Sequence, residues 1–320
     1  SREFESQGGQ VLLMETSGFT GGTAAGFQQV GRALVQEVMQ SPGEKRPHSV
    51  NLIGSMIGHY NWQNDVRELR RLMERMGIRV NVVLTAGSTL KEVIEAPRAM
   101  LNVVVYEEYG EEIAREMEER FGIPWAGMEG YAPYGLRNTA LWLRQAAWAL
   151  ELNIENLLQE EIETVSDQVF PYLARYLGGG ILKGVPVAIC ADGSVALALA
   201  DFLAEYLGMD PVLIGLKTAG TKAEELTGKL SEEYQADPLV LRAPGLEETV
   251  EGLKEAVPEL ILGSGFERLA AQEAGFGETP FIRISSPIWD QLILSERPFI
   301  GMKGVLSLTE EILNALRERF

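Results

Sequence analysis

Short apolar runs alternate with amphipathic stretches along most of this chain. Val50–Ile53 is an apolar run of strand length, and Leu69 and Leu72 lie on one face of the amphipathic stretch that follows it. Apolar strands separated by amphipathic helices are typical of parallel sheets that helices cover on both faces. The pattern therefore predicts an α/β fold, with Asn64 or Asp65 as the N-cap of the first of these helices.

The alternation occurs twice, in two series that are separated by Gly178–Gly180. A short strand is predicted at Val11–Met14, before the two series. The strands of the two series are Val50–Ile53, Arg79–Leu84, Leu101–Val105, Ile123–Ala126, Val185–Ile189, Pro211–Leu216, Leu239–Leu241, Glu259–Leu262 and Phe281–Ile284. The predicted helices include Thr23–Met39, Glu111–Phe121, Arg137–Leu150, Ile154–Tyr176, Val195–Leu207, Lys222–Tyr234, Glu247–Ala256, Glu267–Ala274 and Leu308–Arg319. We predict two doubly wound, Rossmann-like parallel-sheet domains. They cover 48–177, with connecting helices, and 178–320, after an N-terminal segment (1–47) with a glycine-rich loop and a helix.

Composition supports two cores and limits the classes of partner. The 320 residues exceed what one hydrophobic core usually serves, and 46% of them are hydrophobic. The formal net charge of −18 opposes binding to phosphate backbones and anionic membranes, so we expect no nucleic-acid and no membrane partner. The start lacks Met and is not a signal peptide, so we expect a cytoplasmic protein that carries a tag remnant or is cut from a longer one.

Cys190 is the single cysteine of the chain, so no intrachain disulfide can form. One thiolate cannot build an iron–sulfur site, which usually takes about four. We therefore expect the purified protein to be colourless, and a stoichiometric broad absorbance at about 400 nm would contradict that expectation.

Parallel sheets bind ligands beyond the carboxyl ends of their strands. This rule locates candidate residues at 55–61, 85–88 and 106–109 in the first domain and at 190–194, 217–218, 264–267 and 285–290 in the second. We predict a cleft between the two domains that is lined by Ser55, His59, Tyr60, Tyr106, Glu107, Cys190, Asp192, Ser264 and Asp290. His59 and Glu107 are residue types that transfer protons. Gly18 and Gly21 belong to a glycine-rich loop before a helix, which is either an anion cradle or a tight structural turn.

Each candidate also has a structural interpretation. A lone His59 is more often a surface residue, and Cys190 can simply pack at a strand end. Glu107 and Glu108 can stabilise a helix N-terminus without taking part in catalysis. Tyr106 can merely fill space. The residues alone support a two-domain α/β protein with a cleft and do not identify a reaction.

Several stretches, taken together and in order, resemble the nitrogenase component 1 family. That family includes cofactor-assembly scaffolds and the dark-operative protochlorophyllide reductase. The stretches are Ser17–Gly22 with Gly26 and Phe27, Val50–Gly54, Asp65, Glu68 and Leu69, Met76–Ile78, Leu101–Tyr106, Met117–Trp125, Pro133 and Gly135 with Thr139, Gly184–Ala188 with Asp192, Pro258–Ser264, and Gly301–Gly304. The resemblance covers nearly the whole chain, and the most specific stretch is Leu101–Trp125.

The departures from the family pattern concern the cofactor ligands. By this resemblance, the cysteine that anchors the catalytic cofactor falls at Tyr106, and the histidine ligand falls near Pro287. The cysteines of the electron-relay cluster would lie upstream of a point near Val11. Dinitrogen reduction is therefore not expected of this chain.

The resemblance implies an oxidoreductase subunit with an unidentified substrate. It would receive electrons from an iron–sulfur ATPase reductase and pair with a homologous component 1 subunit or with itself. In the full-length complex its cleft would hold an iron–sulfur or other metallocluster, or a tetrapyrrole, whereas this chain alone would hold none. By the same resemblance, Tyr106, Glu107 and His59 are the catalytic candidates and the other cleft and loop residues are ligand-binding. The alternative is a non-catalytic scaffold that binds or assembles such a group on the same fold.

Overall fold

In the computed structural model, which describes residues 22–177 and 180–317, the first sheet contains four parallel strands. They are β1 (Ser49–Ile53), β2 (Arg79–Leu84), β3 (Leu101–Val104) and β4 (Trp125–Ala126). Their order across the sheet is β2-β1-β3-β4. The helices before and within this unit are α1 (Thr23–Ala33), which ends in a π-helical turn at Leu34–Val38, α2 (Trp62–Arg75), α3 (Leu90–Ile94) and α4 (Glu107–Phe121). Every residue of β1 is buried, as expected for a strand that helices cover on both faces.

The second sheet contains five parallel strands within the described residues. Two helices, α5 (Gly135–Ala149) and α6 (Glu155–Leu177), lead into it from the first sheet. Its strands are β5 (Pro186–Ala191), β6 (Asp210–Leu216), β7 (Leu239–Arg242), β8 (Leu260–Gly263) and β9 (Phe281–Arg283), in the order β7-β6-β5-β8-β9. The helices between them are α7 (Gly193–Leu207), α8 (Ala223–Tyr234), α9 (Leu246–Ala256) and α10 (Gly265–Ala274). The predicted fold class, two parallel α/β sheets, is confirmed.

The last helix, α11 (Gly301–Ala315), returns to the first half of the chain, where it contacts α2, α5 and α6. Asp65 and Glu68 on α2 accept hydrogen bonds from the backbone N–H groups of Phe299 and Lys303, at 2.7 and 3.1 Å. These carboxylates satisfy N–H groups at the start of α11 that have no partner within the helix. The start of α11 is thereby attached to α2, the helix that follows β1.

Polar contacts fix the two halves of the molecule relative to each other. The Asp201 carboxylate on α7 accepts hydrogen bonds from Arg137, from Asn138 at 2.6 Å and from the Tyr234 hydroxyl at 2.9 Å. Arg137 and Asn138 lie in the first turns of α5, so this buried carboxylate joins the connecting helix to the second unit. A buried charge is stable only when it is paired and hydrogen-bonded, as Asp201 is.

Three predicted helix starts differ from the structure by three residues or more. Helix α2 has Asn61 as its N-cap rather than Asn64 or Asp65, which lie inside its first turn. Helix α4 begins at Glu107 rather than Glu111. Helix α11 begins at Gly301 rather than Leu308, because its N-terminal N–H groups are satisfied by side chains that are distant in sequence.

Candidate functional site

A cavity of about 420 Å³ lies where the carboxyl ends of the two sheets face each other. Its volume is in the range of roughly 300–1,000 Å³ that is usual for small-molecule sites. The first unit contributes His59, Tyr60, Tyr106, Tyr109 and Tyr134, and the second contributes Asp192, Lys217, Thr218, Ser285 and Pro287. This is the position that the parallel topology predicts for a ligand.

Aromatic side chains form the wall on the side of the first sheet. Tyr106 is the N-cap residue of α4, directly after β3, and Tyr109 lies in the first turn of the same helix. The His59 ring stands edge-on to both, with ring centroids 4.8 Å from Tyr106 and 4.6 Å from Tyr109. The Tyr106 hydroxyl is hydrogen-bonded to Tyr134, which precedes α5. Four rings with O–H or N–H groups therefore meet at one end of the cavity.

Asp192 joins this aromatic wall to the second unit. The Tyr109 hydroxyl donates to Asp192 Oδ2 at 2.9 Å, and the Thr218 hydroxyl donates to Oδ1 at 3.1 Å. Asp192 is the N-cap residue of α7, yet its side chain accepts no capping hydrogen bond from the helix. Its carboxylate is instead directed to the cavity, where it holds Tyr109 in place.

His59 is a neutral group at physiological pH. Burial lowers the pKa of His59 to about 4, against a smaller upward effect of the Asp192 carboxylate. Its Nδ1 accepts a hydrogen bond from the Met56 backbone N–H at 3.4 Å, so the proton of the neutral ring is on Nε2. His59 can therefore donate a hydrogen bond to a ligand without carrying charge.

The tyrosines also remain protonated. Burial, followed by smaller effects of Tyr134 and Asp65, raises the pKa of Tyr106 well above its usual value. Burial and then the nearby carboxylates Asp192 and Asp65, respectively, raise the pKa values of Tyr109 and Tyr134. The cavity thus presents neutral hydroxyl donors, which can bind and orient a polar group of a ligand.

Lys217 provides the opposite wall with a cation. Its Nζ lies 2.9 Å from Ser264 Oγ, 3.2 Å from Ser285 Oγ and 3.0 Å from Glu267 Oε2. Ser264 caps α10, and Glu267 completes the capping box of that helix. The Lys217 side chain thus lines the cavity, and its ammonium group is bound to residues at the N-terminus of α10.

Two glutamates at the start of α4 connect the units beside the cavity. Glu107 Oε1 accepts from the Thr221 hydroxyl at 2.6 Å and from the Lys222 N–H at 2.7 Å. Glu108 accepts from the Ser194 N–H at 3.1 Å and from the Ser194 hydroxyl. Burial, and then Asp192, raise the pKa of Glu108 to about 7. Glu107, which was predicted to be catalytic, does not line the cavity. Its carboxylate instead connects α4 to Thr221 and Lys222 of the second unit.

Four other predicted residues also lie outside the cavity lining. Ser55 is buried and holds the Thr85 N–H through its backbone oxygen at 3.0 Å. Cys190 lies within β5 and is 1% exposed, and burial raises the pKa of its thiol to about 12. Ser264 reaches the cavity only through Lys217, whereas Asp290 forms an exposed ion pair with Arg283. Gly18 and Gly21 lie outside the described residues.

Of the nine residues predicted to line the cleft, the structure places His59, Tyr60, Tyr106 and Asp192 at the cavity. The strand-end rule also gave Tyr109, Lys217 and Thr218 as candidates, and these residues line the cavity as well. Lys217 and Thr218 directly follow β6, and Tyr109 lies in the first turn of the helix after β3. Tyr134 follows no strand of its sheet and could be found only from the tertiary structure.

The donor set does not fit a metallocluster. Among residues 22–177 and 180–317, no group of three or more His, Cys, Asp or Glu side chains is arranged to hold a metal ion. The Cys190 thiol is buried in an apolar cluster away from the cavity. Tyr106 and Pro287, at the two positions where the resemblance expects cofactor ligands, supply a protonated phenol and no side-chain donor at all.

Comparison with known proteins gives consistent matches along the chain. The family model described as nitrogenase component 1 type oxidoreductase matches residues 1–317. One subunit of the light-independent protochlorophyllide reductase of Prosthecochloris aestuarii is 26% identical over 297 residues, which are 89% of this chain and 54% of that protein. The same subunit of the Prochlorococcus marinus enzyme (strain NATL1A) is 29% identical over 297 residues, covering 91% of this chain and 54% of that protein.

A solved structure of nitrogenase Cp1 at pH 6.5 has the same fold. It matches with a TM-score of 0.79 at 20% sequence identity, over 93% of this chain and 66% of that one. The chain spans about half the length of the curated relatives that it matches. In the part of the chain that the structure describes, we found no helix with the length and apolarity that crossing a membrane requires.

Proposed function

Because this chain belongs to the nitrogenase component 1 type oxidoreductase family, we propose that it is an oxidoreductase subunit whose cavity binds an organic substrate of the tetrapyrrole type. The observation that carries the proposal is the cavity wall of His59, Tyr106, Tyr109 and Tyr134 at the position where the family resemblance expects a cluster ligand. The relatives that are named as parts of a protochlorophyllide reductase support the substrate class.

The proposed role of the aromatic wall is to bind the substrate and to supply a proton. Reduction of a conjugated carbon–carbon bond consumes two electrons and two protons, so the site needs a proton donor beside the reacting carbon. Tyr106, whose hydroxyl stays protonated, is the proposed donor of one of these protons. His59 Nε2–H would orient a polar substituent of the substrate, because the neutral ring donates there.

Electrons are proposed to come from an iron–sulfur ATPase reductase through clusters that other parts of the complex hold. The described residues offer no thiolate to the cavity, so no electron step is assigned to them. A homologous component 1 subunit, or a second copy of this chain, is the proposed partner that completes the complex. Dinitrogen reduction is not proposed, since Tyr106 and Pro287 do not replace the cluster ligands.

The test is an anaerobic reconstitution of the full-length protein with its homologous subunit and the iron–sulfur ATPase. Iron and acid-labile sulfide are measured, and protochlorophyllide is added as the test substrate. We expect cluster iron in the complex and an ATP-dependent change in the substrate's absorption spectrum. Binding of protochlorophyllide without any ATP-dependent change, in a complex that contains its iron, would contradict the oxidoreductase role.

That second outcome would support the alternative, a binding or assembly scaffold. The observation that favours a scaffold is the structural use of Glu107, whose carboxylate is occupied by Thr221 and Lys222. A scaffold needs the cavity but not a proton donor, so Tyr106→Phe should leave ligand release unchanged in that case. In the oxidoreductase, the same substitution should slow reduction.

A further inference from the structure

We propose that Lys217 anchors a carboxylate of the ligand, so that the cavity selects an organic acid over the corresponding neutral ester. The inference rests on the proposed function and adds to it a charge requirement for the substrate. Among the described residues that line the cavity, Lys217 is the one lysine or arginine. In a protein with a net charge of −18, an anionic ligand needs such a local cation.

The ammonium group is held from its buried side. Ser264 Oγ and Glu267 Oε2 lie 2.9 and 3.0 Å from Nζ, and neither residue lines the cavity. The same Glu267 oxygen accepts from the Ser264 N–H at 2.7 Å and from the Ser264 hydroxyl at 2.6 Å. Helix α10 begins at this capping box, so Ser264 and Glu267 are held in place by the helix. They in turn fix the position of the Lys217 ammonium group.

The contacts on the cavity side are longer and replaceable. Ser285 Oγ lies 3.2 Å and Ser286 O lies 3.4 Å from Nζ, and both residues line the cavity. The Ser285 hydroxyl also donates to Cys190 O at 3.3 Å, so it keeps a partner when Lys217 turns a proton towards a ligand. A carboxylate oxygen would make a stronger, charge-assisted hydrogen bond at that place.

The carboxylate of the cavity itself does not compete for Lys217. Both oxygens of Asp192 are occupied, by the hydroxyl groups of Tyr109 and Thr218. Glu267 does offset part of the charge of Lys217. We therefore expect the acid to bind about tenfold more tightly than the ester. This difference is at the lower end of what a hydrogen bond between charged groups contributes.

The position of Lys217 also orients the ligand. It lies on the side of the second sheet, whereas Tyr106, Tyr109 and Tyr134 form the wall on the side of the first. A flat ligand whose carboxylate is bound at Lys217 places its ring system against the aromatic wall. The ligand class that fits both walls is an aromatic or conjugated carboxylic acid.

The experiment compares protoporphyrin IX with its dimethyl ester in fluorescence titrations of the protein. We expect the free acid to bind the wild-type protein about tenfold more tightly than the ester. Lys217→Gln should remove this difference by weakening acid binding alone, and Lys217→Arg should retain most of it. Lys229→Gln, which removes an exposed charge paired with Glu225 on α8, is the matched control and should behave as wild type.

Equal affinity of the wild-type protein for acid and ester would overturn the anchor and leave the proposed cavity function intact. An equal loss of both ligands in Lys217→Gln would overturn it in the same way. If neither porphyrin binds the wild-type protein, the tetrapyrrole proposal fails and 2-naphthoate is compared with its methyl ester. A preference for naphthoate that Lys217→Gln abolishes supports the anchor, whereas no preference or no binding overturns it.

Discussion

Tyr106→Phe tests the proposed proton donor at the level of a single residue. The change removes one hydroxyl and its hydrogen bond to Tyr134 but keeps the ring that packs against His59. We expect the dissociation constant for protoporphyrin IX to rise about fivefold, and the free energy of unfolding to change by no more than about 1 kcal/mol. Fluorescence titration and urea unfolding measure the two quantities. Unchanged ligand affinity would leave Tyr106 with a packing role only.

The position of Tyr106 could be predicted from the sequence, because Tyr106 directly follows a parallel strand. The same rule placed His59 and Asp192 at the ligand edge of the sheets. Proximity to a strand end does not determine the direction of a side chain. Cys190 lies inside β5 and packs into an apolar cluster, and Glu107 turns towards Thr221 because α4 begins there. Those directions depend on neighbours that the sequence does not identify.

The elements were predicted more reliably than their ends. Nine of the ten predicted strands have a counterpart in the structure, because apolar runs between amphipathic stretches are strong local signals. The tenth, Val11–Met14, lies outside the described residues. The ends depend on tertiary partners. Asp65, expected as a possible cap of its own helix, accepts from the N–H groups of Phe299 and Ile300 instead. A contact over that sequence separation leaves no local pattern.

Asp65→Asn tests this connection between α2 and α11. Burial raises the pKa of Asp65 to about 7, so its folded-state pKa is above the unfolded value of about 3.9. The stability that protonated Asp65 contributes is complete below the unfolded pKa and is lost as the pH rises through about 7. Asparagine keeps an acceptor oxygen and does not titrate. We therefore expect the wild-type protein to lose on the order of 2–3 kcal/mol relative to the variant between pH 5 and pH 8.

Urea unfolding at several pH values measures that difference. Asp167→Asn is a suitable control, because Asp167 is an exposed carboxylate on α6. The free energy of the control relative to wild type should not vary with pH. A constant difference between wild type and Asp65→Asn across the same range would contradict the burial of a titrating Asp65.

The whole molecule exposes large apolar side chains on α6. Phe170 and Tyr172 are 68% and 67% exposed. Tyr172 borders a groove between α6 and α11, which is also lined by Leu306 and Leu313 of α11. Such patches are typical of association surfaces. The net charge of −18 opposes self-association, and salt weakens that repulsion.

We predict a dimer or larger oligomer at tens of micromolar protein, by light scattering, with a mass that rises with salt concentration. Phe170→Glu should reduce the average mass by placing charge in the contact. Leu90→Glu adds the same charge at a 65% exposed position on α3 and should have no such effect. A wild-type monomer at both low and high salt would contradict the prediction.

The position of the bound ligand on the molecule tests the proposed cavity function most directly. Hydrogen–deuterium exchange of the protein is measured by mass spectrometry with and without saturating protoporphyrin IX. We predict slower exchange in the loops of the cavity wall, at 56–61, 217–221 and 284–290, and no change at the separate cavity beside Trp125 and Trp148. Protection confined to that second cavity, or no protection at any site while the ligand is bound, would contradict it.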